Sequence, residues 1–121
     1  MSPEDIYINL EQILQNSSRT NDLAKPGLCR RWAQIAVKEI IKYRDINRLN
    51  LNIEVREVDI SHALSHTFLR VRVLPDGEPY LYDGTGVENF PPFMGYEKAA
   101  PTHLRESRTD WIQKQLFLDN D

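Results

Sequence analysis

The chain has 121 residues, 40% hydrophobic and 27% charged, which suits one soluble domain, residues 1–121, with a core of its own. A net charge of −3 and an isoelectric point near 5.6 give no electrostatic ground for binding nucleic acid or an anionic membrane surface. No apolar run is long enough to span a bilayer and no basic-then-apolar leader opens the chain; one cysteine excludes an intrachain disulfide framework and a cysteine-rich zinc site, so the expected setting is a reducing cytoplasm.

Residues 2–16 read as a first helix. Ser2 can cap it, Pro3 suits its first turn, and Ile6, Leu10, Ile13 and Leu14 recur at helical spacing. The polar stretch 16–27 reads as a loop. A second helix is expected from about Leu28 to Tyr43, with Trp32, Ile35, Ala36, Ile40 and Tyr43 on one apolar face. After a polar turn, about Asn52 to Ile60 reads as a strand, while residues 61–66 are ambiguous. Residues 67–73 alternate, with Thr67, Leu69, Val71 and Val73 on one face and Phe68, Arg70 and Arg72 on the other. An Asp76-Gly77 turn with positive φ and a return strand at 79–84 make 66–84 a hairpin. Residues 84–101, punctuated by glycine and proline, read as irregular, and 111–118 fits a helix or a strand. Helix, helix, then antiparallel strands is an α+β layout, with N-terminal helices packed on an antiparallel sheet.

Cys29 follows Gly27 at the start of the second helix. There the positive end of the dipole and unpaired backbone N–H groups favour thiolate over thiol, and thiolate is the nucleophile. The same N–H groups can hold an oxyanion, and Arg30 and Arg31 add positive charge. Alone, such a cysteine reads as an ordinary buried residue. A catalytic thiol needs a base, and the base needs an orienting acceptor. His66 opens one strand of the hairpin and Asp83 ends the other, so antiparallel pairing puts both at one edge of the sheet. A two-residue turn would pair Val73 with Tyr80 and Arg70 with Asp83, leaving His66 four residues further on, roughly 13 Å away. Parity keeps both on one face. A register slip of about four, from a bulge or a looser turn between Pro75 and Pro79, would bring them together. His62 and His66 would share a face and offer a metal two ligands only if 61–66 were helical, which the strand-forming residues around them disfavour. His103 has no evident partner.

"GLCRRWA", "SHTFLRVRV" and "YLYDGTG", in that order, resemble the three signature segments of the transglutaminase-like cysteine hydrolases of the papain-like superfamily. That resemblance covers residues 27–85. It implies a papain-like or transglutaminase-like fold in which Cys29 is the nucleophile, His66 the general base and Asp83 its orienting carboxylate. The same order of residues occurs in arylamine N-acetyltransferases, which are far longer, and in compact bacterial effector domains that deamidate or cleave host proteins. Papain-type enzymes often place a glutamine before the cysteine for the oxyanion. Here the oxyanion donor falls to the Cys29 backbone N–H or to Asn21. Trp32 and residues 90–96 are candidates to flank a substrate groove, with core packing the competing reading for Trp32.

The expected function is a thiol-dependent hydrolase or acyltransferase acting on an amide (glutamine or peptide) bond of a protein or peptide substrate: a protease, a deamidase or a transglutaminase. It calls for no cofactor and no metal, and an effector domain delivered to a host is one setting for it. The alternative is a catalytically inactive copy of the fold serving as a protein–protein interaction module, with the exposed aromatics as its partner surface. Thiol reactivity separates the two.

Overall fold

The computed structural model describes residues 1–61 and 64–118. Two helices, α1 (Pro3–Thr20) and α2 (Cys29–Asn47), precede two long strands, β1 (Leu51–Ser61) and β2 (Leu64–Val73). The short strands β3 (Tyr80–Asp83) and β4 (Phe93–Tyr96) follow, then a 3₁₀ turn (Glu97–Ala99), α3 (Thr102–Arg105), β5 (Arg108–Thr109) and α4 (Gln113–Leu118). The protein is thus α+β, with two helices on a five-stranded antiparallel sheet of order β4-β3-β2-β1-β5. No helix among the described residues is long and apolar enough to cross a membrane.

Local chemistry explains the starts of the helices. Ser2 and Asp5 form a reciprocal capping box on α1, with Pro3 at its first position. At α2 the chain turns through Gly27, whose φ of 92° lies where a side chain is disfavoured. The residue before α2 is Leu28, which offers no side-chain cap.

The helices cover one face of the sheet. Ile6, Tyr7, Leu10 and Leu14 of α1 and Trp32, Ala33, Ala36, Val37 and Ile40 of α2 pack against Ile53, Val55, Leu69, Val71, Tyr80 and Tyr82. Burying each large apolar side chain contributes roughly 1.5–3 kcal/mol. The opposite face carries a smaller cluster of Val58, Phe68, Leu81, Ala100 and Leu104, closed by α3. Alternation along β2 and β3 therefore puts Leu69, Tyr80 and Tyr82 on the helix side, and Phe68 and Leu81 on the other.

Several boundaries differ from the sequence reading. Helix α1 runs on to Thr20 through residues expected to be loop, because Ser18 is buried and its hydroxyl accepts a hydrogen bond from Trp32 Nε1 at 2.7 Å. Helix α2 likewise continues to Asn47. Part of the segment expected to be irregular is β4, which pairs with β3 from Tyr80–Tyr96 to Asp83–Phe93. Asp76 and Gly77 do not adopt positive φ. Gly77 is needed for closeness instead: a Cβ there would lie 2.5 Å from the Val73 carbonyl oxygen and 2.7 Å from the Tyr7 hydroxyl. His62, which with His66 would offer a metal two ligands, lies outside the described residues.

The register of the hairpin slips by two, not four: Val71 rather than Val73 opposes Tyr80, and Leu69 opposes Tyr82. Continued by one step, Asp83 stands opposite Phe68, with His66 on the diagonal. Diagonal neighbours on one face are about 7–8 Å apart, within reach of an imidazole and a carboxylate.

Candidate active site

Asp83 is the last residue of β3 and is buried. Its Oδ1 accepts the backbone N–H groups of Thr85 (3.3 Å) and Gly86 (3.0 Å), which fixes the carboxylate against the turn that follows. His66 Nε2 lies 2.9 Å from the same Oδ1. That approach is oblique, so the ring N–H does not point straight at the oxygen. The end of β3 is held by Trp32. A Cβ on Gly84 would sit 2.2 Å from the indole Nε1 and Cε2, so only glycine lets the ring lie flat against the strand end. Trp32 is therefore core, 2% exposed, rather than a wall of a groove.

Cys29, the first residue of α2, is half-buried and lines a cleft with His66. The His66 ring and both the backbone N–H and the hydroxyl of Thr67 stand near enough to the thiol to favour its ionised form. Strand β3 pairs with β2 only from Val71 to Leu69, so the Thr67 N–H lies past the end of that ladder. With Nε2 turned to Asp83, Nδ1 is the ring atom left for the thiol. Burial pushes the Cys29 thiol up, but the hydrogen bonds from His66 and the Thr67 backbone outweigh it and bring the thiol below its ordinary range. Burial likewise works against a charged His66, yet the Asp83 carboxylate and the Cys29 thiol beside the ring raise its pKa to about 9. Both shifts favour a thiolate beside an imidazolium.

The cleft has a volume of about 500 Å³. Gly27, Ile60, Leu64, Val87, Glu88 and Phe90 are among the residues that line it. Among the described residues the backbone N–H groups of Cys29, Arg30 and Arg31 find no acceptor, and no side chain caps them. An oxyanion formed at Cys29 would meet these donors at the positive end of a 19-residue helix. Asn21, the other expected oxyanion donor, is committed elsewhere. It caps the C-terminus of α1, and its amide donates to the Ser17 carbonyl at 2.9 Å.

The structure thus brings Cys29, His66 and Asp83 together and leaves Trp32 and Asn21 out of the cleft. Of the aromatic segment 90–96, Phe90 reaches the cleft, whereas Phe93, Met94 and Tyr96 pack against the two cores. His103, for which the sequence offers no partner, packs against Phe90 with ring centroids 4.3 Å apart and the planes tilted by 37°. Burial lowers its pKa, opposed by the charge of Asp83 and aided by that of His66. Sequence reasoning also missed Thr67. Its signal was a hydroxyl on the face that otherwise carries Leu69, Val71 and Val73.

Among the described residues no group of three or more His, Cys, Asp and Glu side chains is placed to share a metal. No family model, curated protein or solved structure significantly matches the chain.

Proposed function

We propose that this protein is a thiol-dependent hydrolase or acyltransferase that cleaves an amide bond through Cys29, His66 and Asp83. One observation carries the reading: a cysteine at the uncapped start of a helix lines one cleft with a buried histidine, whose ring nitrogen Nε2 lies 2.9 Å from a buried carboxylate. The Cys29 thiolate adds to the carbonyl carbon, and the developing oxyanion takes the free N–H groups of the first turn of α2. The imidazolium of His66 gives its proton to the leaving nitrogen as the C–N bond breaks, which releases the amine or ammonia and leaves a thioester on Cys29. Neutral His66 then takes a proton from water, or from an amine, as that nucleophile attacks the thioester and regenerates the thiolate. Asp83 holds the ring and stabilises its charged form. The resemblance of the three sequence segments to transglutaminase-like and papain-like hydrolases supports the same assignment, with a protein or peptide as substrate.

The test is the rate of Cys29 alkylation by iodoacetamide against pH, in the native protein and in His66→Ala. A thiol with an ordinary pKa near 8.5 is about 1% thiolate at pH 6.5, so loss of the pair slows alkylation there by up to roughly 100-fold. Equal profiles in the two proteins, each with a midpoint near 8.5, overturn the proposal.

A further inference from the structure

Beyond the three residues, a second buried carboxylate stands behind the nucleophile. Asp110 is 1% exposed. Its Oδ2 accepts the Thr67 hydroxyl at 2.7 Å and lies 3.8 Å from Arg30 Nε, while its Oδ1 accepts the Ile112 backbone N–H at 3.0 Å. Its own backbone N–H donates to the Val55 carbonyl at 2.7 Å, which ties it to β1. Thr67 and Arg30 are the two residues this carboxylate joins, and each touches the nucleophile differently. Thr67 follows His66 on β2, and both its backbone N–H and its hydroxyl favour the ionised Cys29 thiol. Arg30 follows Cys29 in the first turn of α2, and its guanidinium lies over the exposed Trp111 ring, 5.5 Å from the centroid.

We infer that Asp110 is a positioning residue for Cys29. Bonded to Thr67, the neighbour of His66, on one side and facing Arg30, the neighbour of Cys29, on the other, it fixes the spacing between β2 and the start of α2, and so holds the thiol against the imidazole. The charged groups around it are Arg30 from α2, Glu57 from β1 (3.6 Å from Arg30) and Arg108 from β5 (3.3 Å from Glu57). Arg30 and Arg108 thus leave neither carboxylate without a cation nearby. Around the thiol itself stand His66 from β2, Arg30, and Glu88 of the same cleft. The inference rests on the reading of Cys29 as a nucleophile.

The experiment compares the pH profile of iodoacetamide alkylation in the native protein, Thr67→Val, Thr67→Ser and Asp110→Asn, with urea midpoints measured alongside. Thr67→Val keeps the shape and the backbone N–H but removes the hydroxyl that serves both Asp110 and the thiol, whereas Asp110→Asn leaves that hydroxyl in place. Both should raise the midpoint of the profile by about one pH unit, while Thr67→Ser restores the native midpoint. Asp110→Asn also weakens the cap on Ile112, so if it fails to fold, Asp110→Glu, which keeps the charge and shifts it by one methylene, takes its place. A native protein with a depressed midpoint that Thr67→Val leaves unchanged overturns the inference and spares the proposed function. A native midpoint near 8.5 overturns both.

Discussion

If Cys29 and His66 exchange a proton in the folded state, the dependence of stability on pH must change shape when the thiol is removed. The perturbation is Cys29→Ser, whose hydroxyl does not titrate. The pKa of His66 is raised on folding, from 6.5 to about 9, so its contribution to stability is fully present below 6.5 and lost as pH rises through about 9. The pKa of Cys29 is lowered on folding, so its contribution is present above the ordinary value near 8.5 and lost as pH falls through the lowered value. Between the lowered Cys29 value and about pH 8.5 the native folded pair holds one proton, on the imidazole. The unfolded pair also holds one, on the thiol. The two states bind equal numbers of protons, and stability is nearly flat across that range. In Cys29→Ser the thiol's share of the rise at His66 is lost and the Asp83 carboxylate alone holds the ring charged against burial, so stability falls with pH, by at most about 1.4 kcal/mol per unit, wherever the folded chain still protonates His66 and the unfolded chain does not. His103, whose pKa is lowered, is neutral in both states across most of this range and does not disturb the comparison. Urea unfolding midpoints at pH 7, 7.75 and 8.5 read the slopes. Parallel curves for the two proteins would refute the coupling.

Three further outcomes follow from the geometry. Gly84→Ala forces a Cβ to 2.2 Å from the Trp32 indole, so it should cost about 2 kcal/mol or more in urea unfolding and slow Cys29 alkylation by displacing the strand end that carries Asp83. Asp83→Asn keeps an oxygen for the Thr85 and Gly86 N–H groups but removes the strongest support of the charged ring. The His66 pKa, followed by NMR, should fall below 6.5 as burial wins. Asn21→Ala should leave the alkylation profile unchanged while lowering stability by roughly 0.5–1.5 kcal/mol, because the amide it removes serves the end of α1. A drop in alkylation rate without loss of stability would put Asn21 back at the site.

What the sequence made legible at this site is what short-range chemistry controls. Gly27 and the apolar period after it place Cys29 at a helix start, and alternation on either side of a turn puts His66 and Asp83 at one edge of a hairpin. What it left obscure depends on contacts between elements. The length of α1 turns on one hydrogen bond from Trp32 to Ser18, residues that only the fold brings together. The short strand β4 exists because β3 presents a free edge to it, and its proline-rich approach hides the pattern. The register shows how the two kinds of information combine. Parity alone requires His66 and Asp83 to share a face at any even slip. The slip itself is set by packing in the turn, where a Cβ on Gly77 would come within 2.7 Å of the Tyr7 hydroxyl, and no sequence pattern records it. A slip of two proves sufficient because the two side chains meet on the diagonal. The pairing of base and acceptor therefore tolerates an error in register that the pairing of Cys29 with the Thr67 N–H does not, since that bond depends on where the ladder between β2 and β3 stops. The carboxylate of Asp110, bonded to the Thr67 side chain at that level, lies where the demand on position is greatest.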